Sequence, residues 1–332
     1  MKKIIIFGAS GNVGSYVAKY ASTYFDNNEY QIIATGRKQT DVFETFGIKY
    51  VSLDINNIQD FENLPKEDVY AVVFLAAVIP SYMDNYDAHS YLNTNIMGFY
   101  NVLEYCRKNS VDRILYSTTV FDISLYTKDE NVELFPDMPK NFSYKGDHAV
   151  YVISKNTALE LLEHYHQEYG IKKFVFRFPT IYNYSSYHYY YPNGVKTLRP
   201  VYRMIQLAKN GDPIELWGDP NYSKDMVYVD DCAQMLCKAI EVDRESGFYN
   251  VGTGVPVTLK EQIEAIISVF SPKDKKSEII YRPDKKSGGG FIMNIDNAKQ
   301  ELGYEPKFGV KDLFEEYKKE MEKEHFDSLR RK

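Results

Sequence analysis

The chain has 332 residues, 44% of them hydrophobic, and 40 Lys and Arg against 46 Asp and Glu leave a net charge of −6. That length and apolar content build one large or two unequal domains with a true core. Acids and bases are interspersed, not blocked, so neither a nucleic-acid binder nor a membrane-surface binder is expected, and a small polar ligand remains the partner this charge allows.

Short apolar or β-branched runs alternate with helical patterns through the first half: KIIIFGA, NVGSYVAKYASTYF, YQIIATG, YAVVFLAA, a long helix in SYLNTNIMGFYNVLEYCRKNS, and RILYSTT. A helix around 148–160 and the strand KKFVFRFP at 172–179 follow. Strands alternating with helices predict an α/β fold, a doubly wound parallel Rossmann sheet covered on both faces. From about residue 183 the pattern breaks, and a smaller α/β C-terminal lobe is expected. The expected division is a first, parallel-sheet domain over 1–182, with 226–254 returning to it, and a second lobe over 183–225 and 255–332. The final segment, LFEEYKKEMEKEHFDSLRRK, is charged on most faces and is expected to fray.

The longest apolar run, VYAVVFLAAVIP at 69–80, is too short to span a bilayer, and MKKIIIFGASG lacks the length and cleavage site of a signal peptide; a cytoplasmic protein is expected. Cys106, Cys232 and Cys237 have no His or Cys at ligand spacing beside them and read as reduced packing residues, with no metal site. His164 and His166, two apart on a helix, face different ways and are expected in solvent.

Gly8, Gly11 and Gly14 follow the first strand and open the first helix in FGASGNVGSYVA. Glycines allow the tight turn and a close backbone approach to a pyrophosphate, and the helix N-terminus offers free N–H groups, so Ser10, Asn12 and Val13 join the glycines as cofactor-binding candidates. Where NAD-binding versions of this unit end the second strand in an acid, this chain has Arg37, whose planar fork suits a 2′-phosphate; NADP is favoured, with NAD open. Asp54 and Ile55, after the third strand, are placed near the adenine.

In HAVYVISKNTALE, Tyr151 and Lys155 project from one helix face, one turn apart. Alone, such a pair is most often an ordinary aromatic–cation contact. Together with the glycine motif about 140 residues upstream, FLAA at 74–77, and Asn95, Gly98, Asn101 and Leu103, it makes the chain resemble the extended short-chain dehydrogenase/reductase family, in its NAD-dependent epimerase/dehydratase group acting on nucleotide sugars. The resemblance implies cofactor contacts at Ala76, Ala77, Asn95 and Pro179, and a homodimer formed through the helices at 92–108 and 150–169. It also implies a catalytic triad of Ser117, Tyr151 and Lys155, with Thr118 the fallback hydroxyl and a substrate contact. For Tyr151 to exchange a proton with a sugar hydroxyl or ketone, its pKa must fall by roughly three units, about 4 kcal/mol. A Lys155 ammonium a few ångströms away is expected to supply that, with the oxidised nicotinamide adding a second positive charge.

Family dehydratases carry Asp-Glu after the catalytic Thr; Thr118 and Thr119 stand here, so dehydration is not expected. Epimerisation and keto-sugar reduction stay open, as do reduction of a non-nucleotide carbonyl and a catalytically silent NADP-sensing role. Lys224 and Arg282 are the candidates for holding a substrate phosphate. Asn183 and Tyr184 replace the family's Gly-Pro, and the tyrosine-rich stretch 182–194 after them suits either a ligand surface or a subunit contact.

Overall fold

The structure, a computed structural model, describes residues 1–128, 132–146, 148–286 and 290–330. Among these, seven strands form one parallel sheet: β1 (Lys2–Phe7), β2 (Tyr30–Gly36), β3 (Lys49–Ser52), β4 (Val69–Phe74), β5 (Arg113–Thr119), β6 (Lys172–Phe178) and β7 (Ser246–Asn250), in the order 3-2-1-4-5-6-7. The alternation of side chains along β1 explains why these runs are apolar throughout. Ile4 and Ile6 face one hydrophobic core with Ala34, Val73 and Leu115, while Ile5 and Phe7 face a second with Ile33, Val72, Phe74 and Ile114. Helices α1 (Gly14–Tyr24) and, further along the chain, Val229–Glu241 pack together on the first face. On the second lie α2 (Phe99–Lys108) and α3 (Ala149–Tyr169).

The single long helix expected over 90–110 is interrupted. A short helix, Ala88–Tyr91, runs into a π-helical stretch at Leu92–Gly98 before α2 begins. Gly98 abuts Ile55, and the Asn101 amide donates to the Ile55 carbonyl at 2.8 Å, so this helix face holds the turn after β3 in place.

A third core joins the helices Pro200–Asn210, Leu259–Phe270 and Val310–Lys323 through Ile205, Ile263, Ile266, Phe270, Leu313, Phe314 and Tyr317. Residues 293–304, grouped with the second lobe in the sequence, instead bury Met293, Ile295, Ala298, Leu302 and Tyr304 in the first core. The terminal helix does not fray as expected: Leu313, Phe314, Tyr317 and Glu320 make a buried stripe at helical spacing, and beyond it Phe326 is also buried. Residues 331–332 lie outside the described residues. His166 is likewise half-buried, its ring nitrogen at 2.9 Å from the Ile171 carbonyl. All three cysteines are buried and unpaired, and no helix among the described residues is long and apolar enough to cross a membrane.

Asp225 ties distant segments together. Its buried carboxylate accepts from the Thr253 N–H at 2.8 Å, the Thr253 hydroxyl at 2.7 Å, the Gly254 N–H at 2.9 Å and the Met293 N–H at 3.2 Å. Asp225→Ala leaves those donors buried without an acceptor, and a loss of about 3 kcal/mol is expected. Urea denaturation checks this; an unchanged midpoint would contradict it.

Candidate active site

The crevice opens at the C-terminal ends of β1 and β4, where the strand order reverses. Gly8 takes φ +81°, and a methyl group there would lie 2.5 Å from the Ala76 backbone nitrogen; one at Gly14 would overlap the Gly8 carbonyl. The Gly11 N–H closes the turn on the Gly8 carbonyl at 2.9 Å. Only glycines fit this cradle. A cavity of about 510 Å³ lies against it, lined by Gly8, Gly11, Asn12, Val13 and Gly14 on one side, by Ala77 and Pro179, and by Ser117, Thr118, Tyr151 and Lys155 opposite. A loop that admits backbone this close, at the start of a helix, fits the diphosphate of a dinucleotide.

The other cofactor candidates, Ser10, Arg37, Asp54, Ile55 and Ala76, do not line this cavity. Ser10 packs on Gly36 and Ala76 on Gly8. Asp54 accepts the Asn56 N–H at 3.0 Å and closes the turn after β3, and Ile55 is buried in the second core. Arg37 is exposed at the end of β2. Asn95, expected at the cofactor, does not line the cavity. Its amide accepts from the Val78 N–H at 2.8 Å and donates to the Val78 carbonyl at 3.0 Å and the Ser154 hydroxyl at 2.9 Å. Ser154 in turn donates to the Tyr151 carbonyl at 2.7 Å, so Asn95 positions the helix that bears Tyr151.

Strand alternation puts Ser117 and Thr119 on one face of β5 and Thr118 on the other. The Tyr151 hydroxyl is hydrogen-bonded to Thr119, whereas the Ser117 hydroxyl reaches the Phe74 carbonyl at 3.5 Å and the buried Thr118 hydroxyl has no partner among the described residues. Thr119 escaped the sequence reading, although its i+2 relation to Ser117 was the available signal. The expected tuning of Tyr151 by Lys155 also needs correction. Burial pushes Tyr151 up to about 12, against the Thr119 hydrogen bond and with help from the Asp122 charge. The Lys155 ammonium lies 4.3 Å from the centre of the Tyr116 ring, and burial pushes its pKa down to about 7. Desolvation therefore favours the neutral form of both groups.

A second cavity of about 440 Å³ continues from the first past Asn12, Phe121, His148 and Arg199. Tyr182, Tyr190, Tyr191 and Lys224 line it, and His188 stacks on Tyr202 with ring centres 3.5 Å apart. Much of the tyrosine-rich stretch thus faces a cavity. Asn183 joins the two spaces by exchanging amide hydrogen bonds with Asn12 at 3.1 and 3.2 Å. His148, one helical turn before Tyr151, and Arg199 were missed in the sequence; Arg199 carries no local signal. Arg282 is a correction. It sits on a strand paired with Ile214–Trp217, where it binds Glu215 at 2.7 Å and Asp284 at 3.0 Å, away from both cavities.

Residues 4–252 match the model of the NAD dependent epimerase/dehydratase family. The chain belongs to that family. It is 27% identical over 321 residues to a putative UDP-glucose 4-epimerase of Methanocaldococcus jannaschii, covering 93% of this chain and 95% of that one. Among solved structures it resembles the UDP-glucose 4-epimerase of Thermotoga maritima with UDP-glucose, at TM-score 0.74, 23% identity and coverage of 97% and 99%. The UDP-glucuronic acid 4-epimerase of Bacillus cereus in complex with NAD matches at TM-score 0.70, 19% identity and coverage of 97% and 98%. At these identities the two structures establish a shared fold.

The depressed Lys155 value has a testable consequence for stability. Between its folded value of about 7 and the ordinary 10.5, the unfolded chain binds the extra proton, so this group's contribution to stability rises with pH across that window and is lowest below it. Lys155→Met is expected to be more stable than the parent below pH 7, with the difference shrinking towards pH 10.5. Urea midpoints over that range measure it, and a pH-independent difference would contradict burial of the ammonium.

Proposed function

We propose that this protein is an NAD(P)-dependent epimerase acting on a nucleotide sugar. The observation that carries this reading is one cavity bounded by the glycine cradle on one wall and by Tyr151, Lys155, Ser117 and Thr119 on the other. A dinucleotide bound there supplies a reversible hydride acceptor. Tyr151 exchanges the proton of the reacting sugar hydroxyl, and Thr119 or Ser117 hydrogen-bonds the same oxygen as charge shifts onto it. Lys155 lines the same cavity, and in its protonated form it acts on the phenol in the sense opposite to burial. The Asn95–Ser154 bridge keeps Tyr151 in register with the hydroxyls of β5.

The second cavity is the proposed site of the sugar nucleotide. Lys224 and Arg199 offer charge for its phosphates, and the stacked His188 and Tyr202 offer ring faces. Hydroxyl residues in place of an Asp-Glu pair, together with epimerases among the relatives, favour epimerisation over dehydration. Arg37, exposed at the end of β2 with no acid beside it, supports NADP and keeps one-way reduction of a keto-sugar as the second reading. Exposed Met97, Tyr100 and Ile153 lie on the helices that would form the homodimer, and the unpaired cysteines fit a cytoplasmic setting.

Tyr151→Phe is expected to bind dinucleotide as the parent does while turning over UDP-sugars at least roughly a hundredfold more slowly. Chromatography of UDP-glucose, UDP-glucuronate and UDP-N-acetylglucosamine after incubation with each protein measures it; equal turnover would remove Tyr151 from the chemistry. Arg37→Ala is expected to weaken NADPH about tenfold or more while leaving NADH nearly unchanged. Fluorescence titration with both cofactors tests it, and equal losses would overturn the NADP assignment.

A further inference from the structure

The C-terminal segment 324–330 folds back onto the first turn of the chain. Glu324, at φ +51°, ends the long terminal helix and redirects the backbone. Phe326 then inserts between Tyr16 and Phe46, with ring centres 5.0 and 5.7 Å away, and Asp327 accepts a hydrogen bond from the Tyr184 hydroxyl at 3.4 Å. These contacts deliver Arg330 to the glycine loop. Its guanidinium donates to the Ser10 carbonyl at 2.6 Å, the Gly11 carbonyl at 3.1 Å, the Asn12 carbonyl at 3.5 Å and the Ser15 hydroxyl at 2.6 Å.

Three successive carbonyls drawn to one cation have a geometric consequence. In a trans peptide the C=O and the next N–H point in opposite directions, so the N–H groups of Gly11, Asn12 and Val13 face away from Arg330. The Gly11 N–H is taken by the Gly8 carbonyl, which leaves those of Asn12 and Val13 turned towards the cavity their residues line. Arg330 thereby presets the donors that an anion would need. Its charge also adds to the positive potential at the N-terminal end of α1. A diphosphate on the far side of the loop would meet that combined potential.

We propose that Arg330 is a positioning residue for the dinucleotide diphosphate, and that docking of segment 324–330 and diphosphate binding strengthen one another. This rests on the loop holding a dinucleotide, as proposed above. Coupling between two binding events is reciprocal, so ligand should also tighten the segment.

The test uses the full-length chain, with Arg330→Ala and Arg330→Lys, and titrations with NADH, NADPH, ADP and adenosine. Arg330→Ala is expected to weaken NADH and ADP by roughly tenfold, within the usual span of such coupling, and to leave adenosine binding unchanged. Arg330→Lys should recover part of the loss. Hydrogen exchange of amides 324–330 in the parent should slow with ADP and not with adenosine. Unchanged ADP affinity in Arg330→Ala overturns the inference, as does an equal loss for adenosine, which marks general damage to the fold. If the parent binds none of the dinucleotides, the functional reading falls with it; if the parent binds them and only the Arg330 effect is missing, the clasp alone is wrong.

Discussion

The architecture depends on the lack of space around Gly8 and Gly14. A side chain at either position would collide with backbone, at Ala76 or at Gly8 itself, and overpacking of that kind typically costs 1–3 kcal/mol even when neighbours yield. Because the β1–α1 turn lies flat against the end of β4, the crevice forms where the sheet order reverses, and every strand end contributing to it points the same way. β5 then delivers its hydroxyls, and α3 delivers Tyr151 and Lys155 from the facing side. The Asn12–Asn183 pair carries the same loop across to the second cavity. One tight turn thus sets the mutual position of three walls.

Features fixed by short-range pattern are legible in the sequence. Ile4–Phe7 and Val69–Phe74 are buried on both faces, so their unbroken apolar runs could belong only to a covered sheet or a buried helix, and their short length and alternation with helical patterns decided for strands. Tyr151 and Lys155 were legible because a single helix carries both. Features that depend on a partner far along the chain were not. Arg282 looks like a free phosphate ligand in YRPD until the neighbouring strand brings Glu215 against it. Arg330 meets a loop more than 300 residues away, and no local pattern announces that contact. The terminal helix looks uniformly charged because its apolar stripe is narrow and two of its members, Tyr317 and Glu320, carry polar groups. In β5 the face of the strand, not the spacing to Val120, decides which hydroxyl meets Tyr151.

The electrostatics of the catalytic pair follow from which energy is larger. From sequence alone, attraction between a phenolate and an ammonium is set against the cost of ionising a phenol in water. Within the fold both groups are removed from water, Tyr151 to 8% exposure and Lys155 to 2%. Shifts of Tyr151 to about 12 and of Lys155 to about 7 correspond to penalties on the order of 3 and 5 kcal/mol, as large as the attraction they oppose. Lys155 is further occupied by the face of the Tyr116 ring, which stabilises its ammonium without helping Tyr151. The chain by itself therefore holds a neutral phenol beside an ammonium that is readily discharged. Any further cation brought into the same cavity acts on the phenol in the sense opposite to burial, and does so at the low local dielectric that burial created. The enclosure that keeps Tyr151 protonated is thus also what makes its acidity responsive to charge carried by a ligand.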